Sequence, residues 1–396
     1  MTNPTSTGIA AVASVYDWLV DGAPGAANAK EVVAQLAPQL LACGIPLDRV
    51  EAFVRTLHPH IVGRGFHWHP DTGVEVRENS YAYLQSPAFL LSPVSAVFQS
   101  GNEVRLHLGE NAPPEQYAAL QRLADQGYTD YFAGPLRFLS GQVHAITFAT
   151  KRAGGFTVAH IAGLRQILRP LSRLAEILAL SRTAVNLLNT YVGNDAGDRI
   201  MQGAIRRGDT ESTRAVIWFS DLRGFTAMSS ELPPTAIIAT LNDLFDCQVP
   251  AIDACGGQVL KFIGDGLLAI FPLRTKSEPQ VCDAALDAAG RAFAALVDLN
   301  ERRQSAGQKP IAFGLALHIG EIAYGNIGGL GRLDFTCIGP AVNLAARLES
   351  LTSSLGRTMV VSAEFAATTS KPAQSLGSFA LKGVPAPVEV FAPVQE

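Results

Sequence analysis

The spacing of apolar positions changes several times along the chain, and each change marks an element. Residues 1–26 are rich in Ala, Gly, Pro and Ser; Val12 to Val20 starts a helical pattern that Asp21-Gly-Ala-Pro-Gly25 breaks, so a flexible N-terminal segment is expected. From Ala27 to Cys43, Val32, Val33, Leu36, Leu40 and Leu41 recur at helical steps, which predicts a helix stopped at Gly44. Pro46 opens a second predicted helix through Thr56. Between residues 61 and 150 the period falls to two, as in Val104–Leu108 and Val143–Ala149, with a predicted helix from Pro114 to Gln126. That is a mixed α/β domain.

From Val158 to Leu188 the apolar residues Ile161, Leu164, Ile167, Leu168, Leu171, Leu174, Ile177, Leu178 and Leu187 restore the helical step, with arginines between them and Pro170 as a kink point. A helix of this kind either packs on its own domain or serves as a dimer stalk, and the pattern leaves both open. A short helix is expected within 191–201 and a loop at 208–212. Thereafter the order is a strand (215–219), a helix (234–254), a hairpin (258–263 and 267–271) and a helix (278–306). A strand pair (311–319 and 321–327), a helix (341–355) and terminal strands (358–361 and about 378–391) follow. Split βαβ units in this order predict an α+β, ferredoxin-like βαββαβ sheet with helices on one face and a free sheet surface on the other. The expected domains are 1–26, 27–156, a helical linker at 157–212, and 213–396.

A chain of 396 residues suits two cores. Its net charge of −4 carries no basic stripe, which argues against nucleic acid as partner. Five scattered cysteines without Cys-x-x-Cys spacing indicate neither a disulfide framework nor a zinc site. Met1–Thr7 lacks a basic, apolar leader, and no apolar run reaches about 18 residues, so no membrane contact and a cytoplasmic location are expected.

The candidate chemistry lies in the second half. Asp221 follows the all-apolar run Ala215–Phe219, and Asp265 sits in the hairpin turn Gly264-Asp-Gly266. Aspartates at strand ends are commonly turn formers, but two of them beside Gly224, Gly264 and Gly266, which let backbone approach a phosphate, suit a two-metal phosphoryl-transfer site. Asn343 and Arg347, four apart, share one face of a predicted helix. In the first domain His58, His60, His67 and His69 have the two-residue spacing of a strand face. With no acidic or thiol ligand expected nearby, ordinary surface or core histidines are the favoured reading over a metal cluster.

Five ordered signatures then define a resemblance: Phe219-Ser-Asp-Leu-Arg-Gly-Phe-Thr226, Lys261-Phe-Ile-Gly-Asp-Gly266, Asp334-Phe-Thr-Cys-Ile-Gly339, Val342-Asn-Leu-Ala-Ala-Arg347 and Leu381-Lys-Gly383. Residues 213–396 resemble the catalytic domain of class III adenylyl and guanylyl cyclases, and the preceding domain looks like a GAF-type sensory domain that takes an unidentified small-molecule effector. The resemblance implies that Asp221, Asp265 and the Leu222 carbonyl bind two Mg²⁺ or Mn²⁺ ions. Lys261 and Thr336 read the purine, Asn343 orients the ribose, Arg347 stabilises the transferred phosphoryl group, and Lys382 holds the terminal phosphates. Lysine and threonine suit ATP, where the guanylyl cyclases carry Glu and Cys; Cys337, one position on, is a register neighbour of Thr336. Threonine here resembles the subgroup whose members often respond to bicarbonate. Because the family divides each site between two subunits, a homodimer is implied. A guanylate cyclase and a catalytically silent nucleotide-binding module are the alternatives; a diguanylate cyclase lacks its Gly-Gly-Asp/Glu-Glu-Phe hairpin here.

Overall fold

The computed structural model describes residues 12–108 and 113–394. The chain divides into two compact units, with the boundary along the chain between Leu187 and Leu188.

In the first unit, helices α1 (Ala13–Val20) and α2 (Ala29–Ala42) precede strands β1 (Arg49–Arg55), β2 (Ile61–His69) and β3 (Gly73–Ser80). Next come α3 (Pro87–Leu90), α4 (Pro93–Ser100), β4 (Val104–His107), a 3₁₀ turn (Glu115–Leu120), α5 (Gln121–Asp125), β5 (Asp130–Arg137), β6 (Val143–Thr150) and α6 (Val158–Val192). The strands form one sheet in the order β3-β2-β1-β6-β5-β4, antiparallel throughout. Its core joins Leu36 and Leu40 of α2, Val50, Ala52 and Trp68 of the sheet, and Leu164, Ile167 and Leu171 of α6.

Three expectations change here. Residues 13–20 are helical, with Val15 and Leu19 buried in that core, so this part of the N-terminal segment is anchored rather than loose; residues 1–11 lie outside the described residues. The helix expected after Pro46 is strand β1. Lying between β2 and β6, it pairs with a neighbour on each side, and this tertiary pairing outweighs its weak local helical pattern. The helix expected at 114–126 begins as a 3₁₀ turn before α5.

The linker expected at 157–212 is not a separate body. The first half of α6 is held by the first unit's core through Ile161, Leu164, Ile167, Leu168, Leu171 and Leu174, while Ile177, Leu180, Leu187 and Tyr191 are exposed. Helix α7 (Asn194–Met201) buries Ala196 in the second unit, among Ile217, Leu268 and Tyr324.

The second unit continues with β7 (Thr210–Leu222), α8 (Phe225–Glu231), α9 (Pro234–Ala254), β8 (Gln258–Ile263), β9 (Gly266–Pro272) and α10 (Glu278–Ser305). Then follow β10 (Phe313–Gly329), β11 (Arg332–Ile338), α11 (Pro340–Ser354), β12 (Met359–Ser362), α12 (Ala363–Thr368), β13 (Ala373–Phe379) and β14 (Val388–Pro393). The sheet order is β13-β14-β12-β10-β7-β9-β8, with β11 on the extension of β10. Strands β7 to β10 with α9 and α10 make the expected βαββαβ unit in the antiparallel order β10-β7-β9-β8. Helix α11 then crosses to β12, parallel to β10.

Both faces of the sheet are covered, which corrects the one-face expectation. Val216 and Trp218 face α9 and α10, whereas Ala215 and Ile217 enter a second cluster with Ala196, Tyr324, Ala341 and Ala345. An all-apolar strand has no polar side to offer water. Gly320 lets α11 close on β10: a Cβ there would lie 2.7 Å from that of Ala341.

Candidate active site

The two strand-end aspartates meet. Asp221, near the end of β7, pairs in register with Gly266 of β9 and Gly314 of β10, and Asp265 occupies the turn between β8 and β9, where Gly264 has φ +63°. A Cβ on Gly266 would sit 3.0 Å from the Ser220 carbonyl and 3.2 Å from Asp221 Oδ1, so the bare backbone is what keeps the turn against the carboxylate. Leu222 anchors the strand end with a side chain only 4% exposed. Burial first, then the charge of Asp265, push the Asp221 carboxyl up to about 7, with Glu349 adding to the effect. Two oxygen-donor groups whose charges repel without a cation between them are the donor set that hard divalent ions take. The residues therefore fit Mg²⁺ or Mn²⁺.

A second cluster forms between β8 and β11. Lys261 Nζ lies 2.5 Å from Asp334 Oδ2. Strand periodicity puts Thr336 on the same face of β11 as Asp334. Thr336 is 5% exposed and its Oγ1 has no hydrogen-bond partner, an unsatisfied polar atom that a ligand can satisfy. Cys337 belongs to the apolar cluster with Tyr324 and Phe335, and burial pushes its thiol up to about 11. A cavity of about 420 Å³ opens beside Lys261, Asp334 and Phe335.

The third cluster belongs to α11. Ala341, Ala345, Leu348, Glu349 and Thr352 are its buried stripe, so Asn343 and Arg347 fall on the roughly opposite side. The Arg347 guanidinium lies 3.4 Å from where a Cβ of Gly383 would be, which brings it beside the exposed Lys382 turn. Leu381, packed with Leu348, holds that turn in place. Among the described residues neither Arg347 nor Lys382 is in an ion pair.

Sequence reasoning missed Glu349 and Arg223. Glu349 is 6% exposed, with Thr352 Oγ1 3.2 Å from its Oε1; burial raises its carboxyl above the usual range against the pull of Arg223. A lone Glu on an amphipathic helix gives no sign of burial. The signal lay elsewhere, in Gly314, whose missing side chain leaves the room.

The histidines of the first unit do not gather. His67 Nδ1 is 2.5 Å from Glu51 Oε1 across the β1–β2 pair, and the His58 and His60 rings stand 5.9 Å apart. Among the described residues no group of three or more His, Cys, Asp or Glu is placed to hold a metal. Acids do stand beside these rings: Glu51 reaches His67 through strand pairing, and Asp71, two residues on in sequence, has its Oδ2 3.5 Å from His69 Nδ1. All five cysteines are free, and among the described residues no helix is long and apolar enough to cross a membrane.

Residues 209–391, just under half of the chain, match the family model for the adenylate and guanylate cyclase catalytic domain. An adenylate cyclase of Anabaena cylindrica is 36% identical over 161 residues, covering 40% of this chain and 31% of that protein. An uncharacterised protein of Mycobacterium tuberculosis is 29% identical over 249 residues, covering 62% and 42%. The chain thus spans less than half the length of these relatives. Among solved structures, a bacterial light-regulated adenylyl cyclase gives a TM-score of 0.48 at 26% identity, covering 57% of this chain and 63% of that one. The adenylyl cyclase CyaB from P. aeruginosa gives 0.44 at 27%, covering 48% and 97%.

Proposed function

We propose that the protein converts ATP to 3′,5′-cyclic AMP and pyrophosphate in sites shared across a homodimer, under the control of its N-terminal unit. The observation that carries the reading is the meeting of Asp221 and Asp265 at the strand ends of a cyclase-family domain. Two bound divalent ions would lower the pKa of the ribose 3′-hydroxyl and neutralise the triphosphate. The hydroxyl oxygen attacks the α-phosphorus, its proton is lost, and the bond to the bridging oxygen of pyrophosphate breaks. Arg347 stabilises charge on the transferred group, Lys382 holds the terminal phosphates, and Asn343 orients the ribose.

ATP is favoured by Lys261, which can donate to adenine N1, and by Thr336, whose unpartnered Oγ1 can accept from the 6-amino group. Asp334 holds the lysine on the face of β11 that carries Thr336, and Cys337 packs among apolar side chains. Two relatives are called adenylate cyclases, those of Anabaena cylindrica and Rhizobium meliloti. The shared site is supported by α11: Asn343 and Arg347 face away from the sheet that bears their own chain's aspartates. One chain then offers each half-site to a different partner face, and a symmetric dimer completes two. The N-terminal unit, an antiparallel sheet with a helical layer, suits a GAF-like sensory module.

Incubation with ATP and with GTP, each with Mg²⁺ or Mn²⁺, followed by chromatography of the products, tests the reading. Cyclic AMP from ATP is expected. Preferential cyclic GMP would favour the guanylate alternative, and no cyclic nucleotide under any metal would sink the enzyme reading.

A further inference from the structure

Three polar side chains that the proposed reaction does not use converge behind Asp221. Arg223 follows the end of β7; its main-chain N–H donates to the Ala312 carbonyl at 2.8 Å, and its Nη2 donates to Thr352 Oγ1 and, at 3.2 Å, to the Arg357 carbonyl. Thr352 is fully buried and Glu349 nearly so, both on α11. All three groups crowd the space above Gly314, the residue opposite Asp221 on β10. A Cβ there would lie 2.3 Å from Glu349 Oε1 and 2.6 Å from both Arg223 Nη2 and Thr352 Oγ1. A buried carboxylate is retained at a disadvantage unless it is compensated.

We propose that Arg223, Thr352 and Glu349 are positioning residues for the divalent ions: they tie the turn after β7 to α11 and aim the Leu222 carbonyl and the Asp221 carboxylate. The proposal rests on the metal reading of Asp221 and Asp265. An arginine bridging turn and helix fixes the backbone whose carbonyl must point at an ion, and such supporting contacts commonly set metal affinity.

The test is Mn²⁺ titration of the full chain without nucleotide, read by electron paramagnetic resonance, beside thermal midpoints. Glu349→Gln keeps the shape and removes the charge; it is expected to weaken Mn²⁺ binding by about tenfold, with Arg223→Ala weaker still and Arg223→Lys between Arg223→Ala and wild type. A merely structural role would shift thermal midpoints and leave the Glu349→Gln affinity at the wild-type value. If Asp221→Ala abolishes binding while Glu349→Gln and Arg223→Lys match wild type, the positioning role is overturned and the metal reading stands. If the wild-type chain binds no Mn²⁺, both fall.

Discussion

The two units hold particular charged groups in contrasting ways. In the first, Asp130 is fully buried and satisfied: Arg105 Nη2 lies 2.7 Å from its Oδ2, and the Phe156 N–H donates to the same oxygen at 2.8 Å. Burial would raise the Glu51 carboxyl, but the hydrogen bond from His67 and the Arg49 charge outweigh it and hold the group low. In the second unit, Asp221 and Asp265 face each other uncompensated, Thr336 Oγ1 lacks a partner, and Arg347 and Lys382 stand apart from any described acid. At these groups, the charges the fold uses for itself are neutralised, and those proposed for a ligand are left unsatisfied.

The largest expected break in this comparison is Asp221→Asn. Cyclase activity should fall by a factor on the order of 10²–10³, while the thermal midpoint holds or rises because a like-charge repulsion is removed. Asp130→Ala should do the reverse. Arg105 loses its carboxylate, and urea unfolding of the first unit should show a loss of about 3 kcal/mol, with no group at the cyclase site touched. Third, Lys261→Glu combined with Thr336→Cys should lower kcat/KM for ATP by about 10² relative to GTP, measured by parallel rate assays.

The smallest effect is a pH dependence of the first unit. Burial, aided by the Arg55 charge, pushes the imidazole of His144 down to about 4. The unfolded chain therefore takes up this proton first as pH falls, so the stability contribution is whole above about 6.5 and is lost toward 4. Between pH 6.5 and 5 the first unit should lose about 2 kcal/mol, and His144→Phe should flatten the slope measured by chemical denaturation.

What the sequence made legible differs between the units for physical reasons. Helix α9 (Pro234–Ala254) carries a long periodic stripe and a proline at its start, so its bounds follow from the pattern. Strand β1 does not announce itself, because its character comes from β2 and β6 on either side. Strand β10 reads as two strands broken at Gly320, yet it runs through, since Gly320 pairs with Ala215 and admits α11. At the site, the two aspartates and the lysines announce themselves by motif. Glu349 does not, because its burial depends on Gly314 in another element, and the orphaned Thr336 Oγ1 depends on the pairing of β11 with β10. Local chemistry is legible in order along the chain; packing partners are not.

The central claim is that each chain carries two halves of different sites. Mixing Asp221→Ala and Arg347→Ala chains, each inactive alone, tests it most directly. Random pairing makes half of the dimers mixed, each with one intact site, so the account predicts recovery to about a quarter of wild-type cyclic AMP formation. Chains that exchange subunits yet recover no activity would contradict it.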